Sequence, residues 1–117
     1  ALNTFDPEIA KARDEKKGYK IIKTIKIPTW PLSRILATVK IPESGIDLMS
    51  VDVEGLDFQV LNSFDWDAGH PKVVIAESTQ AELANVKNDP VYELLCTNGY
   101  KLYAKTGCSI IFKVSEK

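Results

Sequence analysis

The sequence predicts a small α/β domain: a parallel strand–helix–strand unit, then a helix, then an antiparallel terminal hairpin. Three observations carry this. Residues 46–51 (Ile46-Asp47-Leu48-Met49-Ser50-Val51) and residues 73–76 (Val73-Val74-Ile75-Ala76) are short, mostly apolar runs of the length of buried parallel strands. Between them Leu56, Val60, Leu61 and Phe64 recur at helical spacing, and a strand, helix and strand so spaced form a right-handed crossover. At the end of the chain, two strand-like runs flank Thr106-Gly107. That loop is too short for a crossover, so the last pair is an antiparallel hairpin.

The 117 residues fit one domain, and 44% hydrophobic with 26% charged residues is ordinary for a globular protein. A formal net charge of −1, with Lys and Arg distributed along the chain, gives no footprint for nucleic acid. No apolar run approaches a membrane span and the N-terminus does not read as a signal peptide. Cys96 and Cys108 make no disulfide framework. Cys96 reads as a core residue on a helix face and Cys108 as a strand start, so reduced thiols in a cytoplasmic protein are expected. One histidine, His70, and no close cysteine pair leave no case for zinc.

In order along the chain, Asp6-Pro7-Glu8 starts a charged surface helix that runs to Lys17 and stops at Gly18. Residues 19–27 alternate Tyr19, Ile21, Ile25 and Ile27 with Lys20, Lys23 and Lys26, which predicts a strand with a lysine-lined edge. Pro28 ends it. Trp30-Pro31-Leu32 opens a short helix that turns Leu32, Ile35 and Leu36 inward, with Trp30 as a lid on the core. Residues 78–88 are polar and part helical. Asp89-Pro90 caps a helix through Leu94 and Leu95, closed by Asn98-Gly99.

The candidate site is a set of acids. The first apolar run ends in Asp52-Val53-Glu54-Gly55, and the second ends in Glu77. Neighbouring parallel strands deliver their carboxyl ends to the crevice where open α/β sheets bind ligands. Asp52, Glu54 and Glu77 are therefore the candidate catalytic residues. Glu54 has a structural alternative, capping the next helix. Asp57 reads as a solvated first-turn acid, His70 as a surface residue, and Tyr100 and Tyr103 as strand and core residues. No Gly-x-Gly-x-x-Gly or Walker loop is present, and Gly55 stands alone after the first run.

The run Asp47-Leu48-Met49-Ser50-Val51-Asp52-Val53-Glu54-Gly55-Leu56-Asp57, followed by Val60-Leu61, resembles the signature of the FkbM family of S-adenosylmethionine-dependent methyltransferases. Ile25-Lys26-Ile27-Pro28-Thr29, Pro71 to Glu77, Asn98-Gly99-Tyr100 and Ile110-Ile111-Phe112 are similar, in order, to further parts of that domain. The resemblance implies a partial class I methyltransferase (Rossmann-like) fold with a reversed terminal hairpin. It implies that S-adenosylmethionine is the cofactor, with Asp52 near its reactive end and Glu54 or Glu77 near a small-molecule methyl acceptor. The family's glycine-rich turn and ribose-binding acid have no counterpart here. Residues 1–117 thus resemble the C-terminal portion of the domain, without the cofactor half, and a chain inactive by itself is expected. The first strand should then expose an apolar edge, which favours pairing with residues 19–27 or with a second chain as a homodimer. Two other readings stay open: a non-catalytic half-domain acting by association, and an acid-rich metal-dependent hydrolase. A Mg²⁺ site of hard oxygen ligands stays open too, with no residue assigned to it.

Overall fold

Alternating burial, not continuous burial, organises the sheet. A computed structural model describes residues 3–78 and 83–115. Its strands are β1 (Leu48–Val51), β2 (Val73–Glu77), β3 (Tyr100–Thr106) and β4 (Ser109–Val114), in the spatial order β1-β2-β4-β3. β1 and β2 are parallel, pairing Met49 with Val74 and Val51 with Ala76. β4 runs antiparallel to both β2 and β3, setting Phe112 beside Val74 and Ile110 beside Ala76. The register therefore lines Met49, Val74 and Phe112, and then Val51, Ala76 and Ile110, across one face, and all six are buried. Residues two apart share a face, so Leu48, Ser50, Val73 and Ile75 turn to the other side, where Leu48 is 55% exposed. On that second face Ser50 is also exposed, while Val73, Ile75 and Ile111 are half-buried.

The covered face carries α3 (Asp57–Asn62), whose Leu61 is fully buried, and α4 (Pro90–Thr97), which contributes Val91 and Leu95. α4 forms where the local signals place it. The Asp89 carboxylate accepts from Val91 N–H at 2.9 Å, Pro90 occupies the first turn, and Gly99 takes φ 84° beyond the end. The Tyr100 hydroxyl donates to Pro71 O at 2.6 Å, and Trp66 Nε1 donates to Leu61 O at 3.1 Å. Trp66 also meets Phe64 and Tyr100 edge-on. These contacts fix the segment that leads from α3 into β2. The terminal hairpin is antiparallel as expected, with a register irregularity between Leu102 and Ala104.

The N-terminal third departs most from expectation. α1 (Pro7–Asp14) is capped by Asp6, which accepts from Glu8 N–H and Ile9 N–H, but it ends before Lys17. Residues 19–27 form no strand and are exposed throughout, Ile22 at 95%. Alternation marks a surface that fits a sheet, yet a strand exists only where a neighbour takes its hydrogen bonds. Among the described residues, 22–27 have no backbone hydrogen bond to any other segment. α2 (Leu32–Leu36) is pinned to the end of α3 by Leu32 N–H donating to Ser63 Oγ (2.8 Å) and Ser33 N–H donating to Ser63 O (3.2 Å). Its Leu32 and Leu36 pack on the core, but Ile35 is exposed. Trp30 is no core lid either: it is half exposed, with the Arg34 guanidinium 3.6 Å from its ring centroid.

Smaller corrections follow from which face each residue occupies. Cys96 lies on the exposed side of α4, and Cys108 sits in the hairpin turn before β4 begins. Both thiols are free. Tyr103 projects outward, beneath Lys113 Nζ. In the polar stretch 78–88, Leu83–Asn88 forms a 3-10 helix, and residues 79–82 lie outside the described residues. Among the described residues no helix is long and apolar enough to cross a membrane.

Candidate functional site

The parallel pairing of β1 and β2 brings their carboxyl ends side by side, and the acids follow. Asp52 leaves the end of β1 and Glu54 stands two residues on, both exposed. Glu77 is the last residue of β2 and half-buried. Its carboxyl is pushed above the ordinary glutamate value, first by burial and then by the negative charges of Asp57, Asp52 and Glu54. Arg13 of α1 pulls it the other way. The charges of Asp52 and Glu54 therefore bear on Glu77.

Asp57 is the residue sequence reasoning missed. It is 5% exposed, not a solvated first-turn acid. Its Oδ1 accepts from Glu77 N–H at 3.1 Å and its Oδ2 from Val53 N–H at 3.4 Å, so one carboxylate ties the loop after β1 to the end of β2. The available signal was an accounting one. Strand ends leave backbone donors without partners, and a carboxylate entering the next helix is the nearest acceptor.

The turn between β1 and α3 needs its glycine. Glu54 has φ 52° and Gly55 φ 105°, two consecutive residues outside the regions L side chains prefer. A non-glycine residue at positive φ stores about 1–2 kcal/mol. Glu54 does not cap α3: the residue before that helix is Leu56, and it makes no side-chain cap. Instead Glu54 O accepts from Thr4 Oγ at 2.8 Å, which lays the N-terminal segment across the turn. Asp6 and Ile9 lie within ordinary contact of the open position at Gly55.

Beside the acids runs a groove of about 200 Å³, lined by Gly55, Asp57, Phe58, Glu77, Pro90 and Val91. Its lining mixes the carboxylates of Asp57, Glu77 and Asp89 with the apolar side chains of Phe58, Pro90 and Val91, while Asp52 and Glu54 lie outside it. His70 is not part of its lining; its ring stacks on Tyr100 at 6.2 Å. Burial raises the Tyr100 hydroxyl to about 12, so it remains a hydrogen-bond donor at physiological pH. Among the described residues, no group of three or more His, Cys, Asp or Glu side chains is placed to hold a metal ion.

Searches of curated proteins and of solved structures found no match. A comparison with protein families matches the Methyltransferase FkbM domain over residues 2–102, which takes in the acid-bearing strands, the turn at Gly55 and Asp57. The chain belongs to the FkbM methyltransferase domain family.

Proposed function

We propose that this chain is the acceptor-side, C-terminal portion of an S-adenosylmethionine-dependent methyltransferase of Rossmann-like fold, acting on an oxygen of a small molecule or sugar. The observation that supports the proposal is the placement of Asp52, Glu54 and Glu77 at the adjacent carboxyl ends of β1 and β2, with Asp57 accepting from both Val53 N–H and Glu77 N–H. The strand order β1-β2-β4-β3, with β4 reversed between β2 and β3, agrees with the class I methyltransferase arrangement implied by the family.

The described residues fit part of the cofactor. A negative wall suits a sulfonium cation, and Phe58, Pro90 and Val91 offer apolar contact. The groove, at about 200 Å³, falls below the ~300–1,000 Å³ of typical small-molecule sites. Asp57 and Glu77 would flank the reacting end of the cofactor there, with Phe58, Pro90 and Val91 in apolar contact. When bound, the cofactor supplies an electrophilic methyl group. Asp52 then balances positive charge at the mouth. Glu77, whose raised carboxyl is a stronger base than an ordinary glutamate, accepts the proton of the acceptor hydroxyl at its carboxylate oxygen. Glu54 orients that hydroxyl, and Asp57 positions Glu77 through the backbone. The chain by itself does not turn over.

Calorimetric titration with S-adenosylmethionine, and in parallel with S-adenosylhomocysteine, which is uncharged at sulfur, tests this reading. Saturable binding of S-adenosylmethionine that Asp52→Ala weakens more than it weakens the uncharged analogue is the expected result. No heat at millimolar ligand overturns a cofactor role for this chain. The outer edge of β1, unpaired among the described residues, and the exposed residues 19–27 favour a second reading, a module that works by association. No observation favours the metal-dependent hydrolase.

A further inference from the structure

α1 meets the acid site along one face. Its half-buried residues are Ile9, Ala10 and Arg13, preceded by the half-buried cap Asp6, while Pro7, Glu8, Lys11, Ala12 and Asp14 are exposed. That is the spacing of a single helical stripe. The stripe rests on the turn after β1. A Cβ at Gly55 would lie 3.5 Å from both Asp6 Cβ and Ile9 Cδ1, and Thr4 Oγ donates to Glu54 O at 2.8 Å. Gly55 in turn lines the groove together with Glu77. Arg13 ends the stripe, one helical turn beyond Ile9.

No bond of its own accounts for where Arg13 sits. Its Nη1 is buried without a hydrogen-bond partner, and among the described residues its guanidinium makes no ion pair. Buried donors are nearly always paired, and an unpaired charged one is costly. The packing of α1 on the turn therefore holds the guanidinium in place. The groups whose charge bears on Glu77 are Asp57 at the start of α3, Asp52 and Glu54 after β1, and Arg13. Asp89, at the cap of α4, lines the same groove and accepts from Ser78 Oγ and Val91 N–H. Arg13 is the one cation in this set, and a guanidinium does not lose its charge in a protein.

We propose that Arg13 is a positioning residue of the acid site: the docked face of α1 holds its guanidinium as the counter-charge to the carboxylates at the ends of β1 and β2. It acts through Glu77, favouring the carboxylate form that the neighbouring acids disfavour. Because the guanidinium is paired with none of the acids, it offsets their charge without occupying a carboxylate oxygen. The inference deepens the base role proposed for Glu77, and it rests on the placement of the acids rather than on methyl transfer itself.

Carbon-13 NMR titration of the Glu77 carboxyl in the 117-residue chain tests it. Arg13→Gln should raise the midpoint. Arg13→Lys keeps the charge and should stay near the parent value. Lys11→Gln removes a cation from the exposed face of the same helix and should leave the midpoint where it was. A midpoint that Arg13→Gln leaves unmoved overturns the proposal, because an arginine with a purely structural role changes stability and not this titration. A rise that Lys11→Gln matches overturns it as well, since the place of the cation on the helix would then not matter. The methyltransferase reading fails separately, by the absence of S-adenosylmethionine binding to the parent chain.

Discussion

Replacing Asp57 should cost more than its position in a first helical turn suggests. Asp57→Ala removes the acceptor for Glu77 N–H at 3.1 Å and for Val53 N–H at 3.4 Å, inside a site where Asp57 is 5% exposed. A hydrogen bond to a charged group contributes about 1.5–3 kcal/mol, and a long one nearer ~0.5 kcal/mol. Loss of the repulsion between Asp57 and Glu77 returns part of this. The expected net destabilisation is about 1.5–3 kcal/mol. With a urea dependence near ~2 kcal/mol/M, the unfolding midpoint falls by about 1 M. Asp57→Asn keeps one carbonyl oxygen for the shorter bond and sheds the charge, so it stays within about 1 kcal/mol of the parent. Urea titration followed by tryptophan fluorescence reads both variants. Equal midpoints for Asp57→Ala and the parent chain would refute the idea that this carboxylate ties the two strand ends together.

Tyr100→Phe leaves Pro71 O, buried and accepting at 2.6 Å, without its donor; the same titration should show a loss of about 1–3 kcal/mol. Gly55→Ala meets only ordinary contacts at Asp6 and Ile9, so its cost comes from φ 105° alone, about 1–3 kcal/mol. The pH dependence of stability should carry Glu77's signature. Its folded-state value is raised above the ordinary 4.5, so the folded chain binds the proton more tightly than the unfolded one. The associated stability is fully present below the ordinary value and is lost as pH rises through the folded value. Glu77→Gln removes that dependence, and the variant should gain on the parent chain as pH rises above the ordinary 4.5 in parallel urea titrations.

The parts of the fold that were legible in the sequence are those fixed by neighbours along the chain. Asp89-Pro90 and Asn98-Gly99 bracket α4 because caps act within a turn of the helix they end. The hairpin follows from the length of one loop. The crossover from β1 to β2 follows from two apolar runs and the helix between them. Residues 19–27 show what such patterns lack. Their alternation reports that the segment would fit a sheet, and nothing in it reports whether a strand lies alongside. Cys96 and Tyr103 went to the wrong face because short apolar patterns leave the direction of burial open. At the site, the acids ending the strands were legible because parallel strands must deliver their carboxyl ends together. Asp57 was not, since one of its two amide partners lies twenty residues away and becomes a neighbour only once β2 has docked beside β1.

The account rests on the acids sharing one site, and the carboxyl titration of Glu77 followed by carbon-13 NMR measures that directly. A midpoint above the ordinary 4.5 is predicted, falling in Asp52→Asn, Glu54→Gln and Asp57→Asn as each neighbouring charge is removed. An ordinary glutamate value, unmoved by all three substitutions, would mean that the acids do not converge and would contradict the site as described.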